Sequence, residues 1–311
     1  MAPITAAFDT YVTQYPLLAN LMYGAANKDS IYKDLVDLKG SDFSPIPHGV
    51  ETHITYGLDT WVKRSDTSPF TFDGPGSEGT KKTYFSNYGL GVIYTENLFM
   101  DGLYGIVEKI DTDLGNTYDL TRNVQVAQMF DDGFSGSIAQ FLAYDGQPLL
   151  STSHVSSPGV TRANKPSVAQ PLSYTGVQQV LTVMRRFKSE RGRPRMMLEN
   201  GQAIKVLIPP EMEFLADSIF DTGSAYNPTN ANNDINVLKK FRWEVVINPY
   251  LTSTTNWFFM PTGENMLRLV DRQPFTDDKN PDIDTKGVRH DVRARWVLHP
   301  EHFDRVFGSN G

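Results

Sequence analysis

No cysteine occurs among the 311 residues, which excludes disulfides, Cys-ligated zinc, iron–sulfur clusters and thiol catalysis. Long apolar runs are also missing. None approaches the roughly 18 residues that a membrane helix needs. The opening MAPITAAFDTY has no basic stretch followed by an apolar one, so it does not read as a secretory signal. A basic excess is lacking as well: the formal net charge is −7, which argues against a dedicated nucleic-acid binder with a basic stripe. Glycine and proline stay near average usage, so neither disorder nor a collagen-like chain is indicated. No repeat of 20–50 residues is present. These absences point to a soluble protein made in a cytoplasm and held together by packing, hydrogen bonds or association. The length suits one large domain or two ordinary ones.

Hydrophobic residues make up 40% of the chain and aromatics 12%, enough to fill a core. Residues 1–49 carry short apolar patches, YPLLANLMYG and IYKDLVDL, and read as an arm with one or two short helices. In VETHITYGLDTWV, Val50, Thr52, Ile54, Tyr56 and Leu58 recur at period two, the mark of a half-buried strand. A polar segment, KRSDTSPFTFDGPGSEGTKK, leads to a second strand-like run, TYFSNYGLGVIY, so residues 50–94 form an extended hairpin. A lone hairpin is marginal in water, so this one is expected to lie on another surface. From Thr95 to Phe134, Leu103, Ile106, Val107, Ile110 and Leu114, then Val124, Val126, Ala127 and Phe130, predict a long helix with an interruption near Gly115 and Asn116. A second helix is predicted from Thr175 to about Glu190, with Val177, Val180, Leu181, Met184 and Phe187 on one face and Ser173 or Thr175 as cap. AIKVLI is a strand, Pro209-Pro210-Glu211 starts a helix, and WEVVIN, NWFFM, MLRLV and VRHDVRARWVL are further strands. The fold class is α+β.

Several motifs invite chemistry. Gly74 to Gly79 spells G-x-G-x-x-G, but the strand before and the helix after that a dinucleotide site requires are not predicted; a hairpin tip is the plainer reading. GFSGS at 133–137 departs from the nucleophile elbow and reads as a helix terminus. His290, His299, His302 and Glu301 have ligand chemistry without ligand spacing, and no metal or cofactor is assigned. Asp101, Asp111 and Asp113, and the run DDKNPDID with Asp277, Asp278, Asp282 and Asp284, lack a calcium-loop pattern, so the run reads as a solvated acidic loop. The basic run at 185–195 reads as a helix end and turn. AYDGQPLLSTSHVS at 143–156 brings Asp145, Ser151, Ser153 and His154 together behind an Asp-Gly turn. Ser153 and His154 are adjacent and would face opposite ways in a strand, and neither an orienting acid nor an oxyanion hole is secured. A Ser/His hydrolase is therefore the remote alternative, and no catalytic residue is assigned.

The order of these elements, and above all DGQPLLSTSH and VLIPPEMEFLA, resembles the major capsid proteins of tailed bacteriophages, in particular the branch of the Mu-like major head subunit. The resemblance covers roughly residues 45–305. It implies the Hong Kong phage-type capsid fold: an N-terminal arm (1–49), an E-loop hairpin (50–94), a P-domain with a long spine helix (95–164), an A-domain (165–285), and a returning P-domain strand with the C-terminus (286–311). It further implies a self-assembling head protein, without enzyme activity, that forms the icosahedral shell around phage double-stranded DNA as pentamers and hexamers. An encapsulin-like compartment is the alternative. Partners implied are other copies, a separate scaffolding protein (the arm is short), a portal and a cement protein, with no membrane; the place is the virion, after assembly in the bacterial host cytoplasm. Lys63, Arg64, Asp73, Glu78, Lys81 and Lys82 become expected subunit contacts of the E-loop. Some members link subunits through Lys–Asn bonds, but no acceptor asparagine matches here, so that chemistry is not carried over. Arg185, Arg186, Arg191, Arg193 and Arg195 are candidates to meet DNA without reading its sequence, or to line a subunit contact.

Overall fold

A computed structural model describes residues 6–28, 30–43, 45–66, 68–195, 202–221, 236–263, 265–282 and 286–311. Helices and strands are mixed, and the chain divides into two compact units. The first comprises 1–49, 84–126 and 269–297; the second comprises 50–83, 127–268 and 298–311. Both are built from separated stretches rather than consecutive ones.

In the first unit the arm forms two helices, Ala6–Ala26, longer than expected, and the short Ile31–Leu35 within IYKDLVDL. Tyr11, Leu18, Met22 and Ala26 are buried at steps of seven and four, which is one helix face. Their packing outweighs Pro16, whose cost in a helix interior is about 3 kcal/mol. The long helix Tyr104–Asp131 is unbroken, and Glu96–Met100 is a separate short helix before it. Gly115 does not interrupt the helix. A Cβ there would lie 2.2 Å from the Met22 carbonyl oxygen and 2.9 Å from the Ala25 Cβ, so glycine permits a close backbone approach. Leu103, Ile106 and Val124 belong to the predicted periodic set yet are exposed, while Val107, Leu114 and Val126 are buried.

The sheet of this unit runs in the order 37–39, 267–281, 288–300, 86–94. Residues 288–296 pair antiparallel with 86–94. The predicted alternation holds: Val288, Val292, Ala294 and Trp296 are buried, and Arg289, Asp291 and Arg293 are exposed. The acidic run differs from its reading. Leu267–Pro281 is one strand, Asp277 accepts from the Tyr15 and Tyr23 hydroxyls, Asp278 pairs with Arg293 at 2.7 Å and Asp282 with Arg289 at 2.9 Å. Tyrosine donors and arginine counter-charges hold these acids on or beside the sheet rather than in a solvated loop; Asp284 lies outside the described residues. Inside the core of Tyr11, Leu18, Tyr94, Phe99, Val107 and Val288, Asp111 accepts from Tyr94 Oη at 2.6 Å and lies 2.9 Å from His290 Nδ1. Burial, together with this carboxylate, pushes the Tyr11 and Tyr94 phenols up. Asp101 and Asp113 point to solvent, so the three acids do not converge.

The sheet of the second unit has the order 307–310, 256–261, 203–208, 242–247. Ala203–Ile208 pairs parallel with Arg242–Ile247 and antiparallel with Asn256–Pro261. It is covered on both faces, which explains its near-continuous apolar sequence. The helix Tyr174–Arg185 begins where Ser173 Oγ accepts from the Gly176 N–H at 3.0 Å, and Val177, Val180, Leu181, Met184 and Phe187 are buried. Past Pro209, a 3₁₀ turn Pro210–Met212 leads into the helix Glu213–Phe220. The hairpin has its first strand at Gly49–Tyr56, but the run expected as one returning strand is two, Gly76–Tyr84 and Ser86–Tyr94, divided at Phe85. The former pairs with Gly49–Tyr56 and the latter with 288–296. Gly76 and Gly79 therefore sit in a strand, and no helix follows them. The dinucleotide context is absent, and so is the expected tip at these two glycines.

Candidate assembly surface

Within the second unit the hairpin is fixed at its root and bare at its end. His299, in the C-terminal stretch, bridges both strands: Nε2 lies 3.0 Å from Thr52 Oγ1 and Nδ1 lies 2.8 Å from Thr83 Oγ1. Burial, with the nearby charges of Lys81 and Arg268, lowers its pKa to about 3. The ring is thus neutral, with one nitrogen donating and the other accepting. Lys81 is buried and donates to the carbonyls of Gln140 at 3.0 Å and Leu142 at 2.6 Å, and burial lowers its pKa to about 8. Lys82 pairs with Glu51 at 3.1 Å.

Beside the root, the side chain of Arg162 is wholly buried. It reaches Glu78 at 3.2 Å and Glu190 at 3.3 Å, faces Asp304 at 3.8 Å, and lies over the Phe303 ring at 4.9 Å. Tyr144 accepts from Arg162 and donates to Glu78. Burial opposes the charge on Asp304, but His302, Arg195 and Arg162 outweigh it and hold the carboxyl below its ordinary value. Glu190, His302 and Asp304 bring ligand atoms within 4.8 Å of one another. The two guanidiniums already supply the counter-charge there, so the donor set does not call for a cation. His290, His299, His302 and Glu301, which have ligand chemistry without ligand spacing in the sequence, do not converge: Glu301 pairs with Arg268 and each histidine packs separately. The Arg162 hub carried no sequence signal, because its partners lie 18 to 142 positions away.

Further out, Arg191 pairs with Asp73 at 3.0 Å and Arg193 with Asp59, and the Asp59 N–H donates to Asp73 Oδ2 at 2.6 Å. The two limbs are thereby clamped to the basic turn. Among the described residues, 57–66 and 68–75 beyond the root have no helix or strand, and Leu58, Trp61, Val62, Phe70 and Phe72 are exposed there by 62%, 100%, 69%, 70% and 92%. Of the six expected contact residues, Lys63 is exposed, Arg64 covers the Phe70 ring at 4.1 Å, and Lys82 and Asp73 are accessible but paired within the chain. Glu78 and Lys81 are enclosed by their own chain. Leu58, expected on the half-buried face of the first strand, lies beyond its end at Tyr56 and is exposed. Trp61, Val62, Phe70 and Phe72 are large apolar side chains in or beside a polar stretch, which is a readable signal. Of the basic run, Arg191, Arg193 and Arg195 meet carboxylates of the same chain, while Arg185 and Arg186 are exposed.

The segment 143–156 makes a turn. Gly146 has φ +76°, the Ala143 N–H donates to the Gln147 carbonyl at 2.9 Å, and Leu149 and Leu150 are buried. His154 Nδ1 lies 2.8 Å from Asp145 Oδ2, and the ring stacks on Phe303 at 3.5 Å. The His154 pairing outweighs burial and keeps the Asp145 carboxyl below its ordinary value. Ser151 and Ser153 bond each other at 3.2 Å, and His154 Nε2 has no hydrogen-bond partner among the described residues. An acid and a histidine meet, while the Ser151 and Ser153 hydroxyls bond each other rather than the imidazole, which is not the hydrogen-bonded pair that an activated serine needs.

A family model described as phage capsid protein matches residues 78–303. Among solved structures, the chain is similar to the virus-like particle from Pyrococcus furiosus, at 11% identity over 95% of this chain and 98% of that one, with a TM-score of 0.51. It is similar to the mature capsid of bacteriophage PhiM1, at 11% identity over 90% and 86% with a TM-score of 0.56. The bacteriophage JBD30 capsid matches at 13% identity over 73% and 92%, with a TM-score of 0.53. No curated protein matches. At such low identity the structural matches speak to fold; the family match covers well over half of the chain. The chain belongs to the phage capsid protein family, has the α+β fold of tailed-phage capsids, and is a major capsid shell protein.

Proposed function

We propose that many copies of this chain close, as pentamers and hexamers, into an icosahedral head around phage double-stranded DNA, and that the hairpin is the element each copy lays on its neighbour. The carrying observation is the tip: five large apolar side chains stand exposed on a segment with no regular structure, directly outside a root held by buried ionic and hydrogen-bonding groups. An isolated subunit gains nothing from such a tip, whereas a neighbour that covers it recovers about 25 cal/mol per Å2 of apolar surface. Lys63, Arg64 and Lys82 remain available as polar contacts at its rim; Glu78 and Lys81 serve the root. The role is structural rather than enzymatic. Scaffolding, portal and cement proteins are separate partners, assembly takes place in the bacterial host cytoplasm, and the virion is the destination. Membership of the Mu-like branch rests on DGQPLLSTSH.

The compartment reading is the less supported alternative; the likeness to the virus-like particle from Pyrococcus furiosus across nearly the whole of both chains speaks to a shell fold and does not separate the two readings. Negative-stain microscopy of the expressed full chain, with mass spectrometry and nucleic-acid assay of the particles from infected cells, tests both readings. Closed shells carrying genome-length DNA support the head; shells carrying one enzyme and no DNA support the compartment. A chain that stays monomeric with or without its scaffold contradicts both.

A further inference from the structure

Sheet edges expose unpaired N–H and C=O groups, and proteins usually blunt them with charge, proline or shortness. One edge of the first unit's sheet follows this rule: Asp37–Lys39 is three residues long and charged at both ends. The opposite edge does not. Ser86–Tyr94 is nine residues long, SNYGLGVIY, without charge or proline, and among the described residues its sheet partner is 288–296 alone. Leu90 and Ile93 are 49% and 53% exposed. Alternate residues of this strand, Tyr88 and Leu90, line a groove of about 210 Å3 together with Leu114, Tyr118, Phe275 and Trp296. Tyr88 stacks on Trp296 with centroids 3.8 Å apart, which makes one wall rigid. An apolar cavity of about 150 Å3 accommodates a benzene ring, so this groove has room for an aromatic side chain.

A free main-chain edge beside a pocket at alternate positions is the arrangement used in strand addition, where the backbone supplies affinity and the pocket supplies selectivity. We propose that residues 68–73 of a second copy add as a strand to the edge 86–94 and place Phe72 in the groove. This rests on the reading of the chain as a shell subunit. The segment SPFTFD has Phe70 and Phe72 at period two, so both lie on one face of an extended chain. Both are exposed, and among the described residues neither has a strand partner in its own chain. Pro69 stands at the start, where a missing N–H is tolerated. Residues 68–72 are uncharged, like the edge they would meet. Arg64 already covers one face of Phe70, which leaves Phe72, 92% exposed, as the ring for the groove.

The cysteine-free sequence permits a direct test. Full-length Phe72→Cys/Leu90→Cys protein is assembled into shells, oxidised, and run on a non-reducing denaturing gel. The expected result is a ladder of covalent multimers that reductant collapses, absent from each single variant. A monomer closed on itself, dimers from Leu90→Cys alone, or no link in well-formed shells would each overturn the proposal while leaving the shell function standing. Failure of the wild-type chain to form shells would instead count against the function. Should the double variant not fold, hydrogen exchange on wild-type protein decides: amides of 86–94 should slow roughly tenfold or more on assembly, and unchanged exchange in closed shells overturns the inference.

Discussion

At the scale of single residues, the hairpin root depends on groups whose charge state is set by burial. His299 in the native chain has a pKa of about 3, against about 6.5 when unfolded. Between these values the unfolded chain binds the proton and the native chain does not, so the histidine's contribution is complete above pH 6.5 and is lost as pH falls towards 3. We expect His299→Gln, which can still bridge Thr52 and Thr83, to lose less stability than wild type between pH 7 and pH 4.5 in urea melts; equal losses would contradict the assignment. Arg162 meets Glu78, Glu190 and Asp304 with a fully buried side chain. Removing one partner from such a set leaves buried charge uncompensated, at a cost of about 3–5 kcal/mol. Arg162→Met should lower the denaturation midpoint accordingly, and a change below about 1 kcal/mol, the worth of a surface pair, would show that the network is ornamental. Little of this was legible beforehand. The sequence displays Asp145, Ser153 and His154 within ten positions, whereas the decisive partners of Arg162, Lys81 and His299 come from distant stretches.

At the scale of elements, periodicity carried most of the information. The strand 288–300 and the helix Tyr174–Arg185 were readable because one face of each packs on a single core. Misreadings arose where tertiary packing overrode local preference. Pro16 sits within a helix because four residues on one face are buried, and TYFSNYGLGVIY divides at Phe85 because its halves pair with different strands. Gly115 suggests a break because glycine is a poor helix former, yet its role is steric. That role gives opposing effects. Gly115→Ala should gain up to about 1 kcal/mol of helix propensity, but its Cβ would sit 2.2 Å from the Met22 carbonyl oxygen, and overpacking of this kind costs about 1–3 kcal/mol. Net destabilisation in thermal melts is therefore expected, and a stabilised variant would refute the close crossing.

At the scale of the whole molecule, the family and fold were legible because the order of elements survives where identity is near 11%. The receiving surface was not, since a groove exists only once Tyr88, Tyr118, Phe275 and Trp296 have been brought together. On the proposed function, assembly energy is concentrated in an apolar tip kept outside the folded subunit. Replacing Trp61, Phe70 and Phe72 by serine touches residues that are 70–100% exposed, so the subunit's own stability should change by no more than about 0.5 kcal/mol per site. The most direct test is sedimentation velocity of wild-type and triple-variant chains under identical assembly conditions. Wild type should sediment as closed shells, and the variant as folded subunits or small oligomers. Shells of normal size and yield from the triple variant would contradict the account.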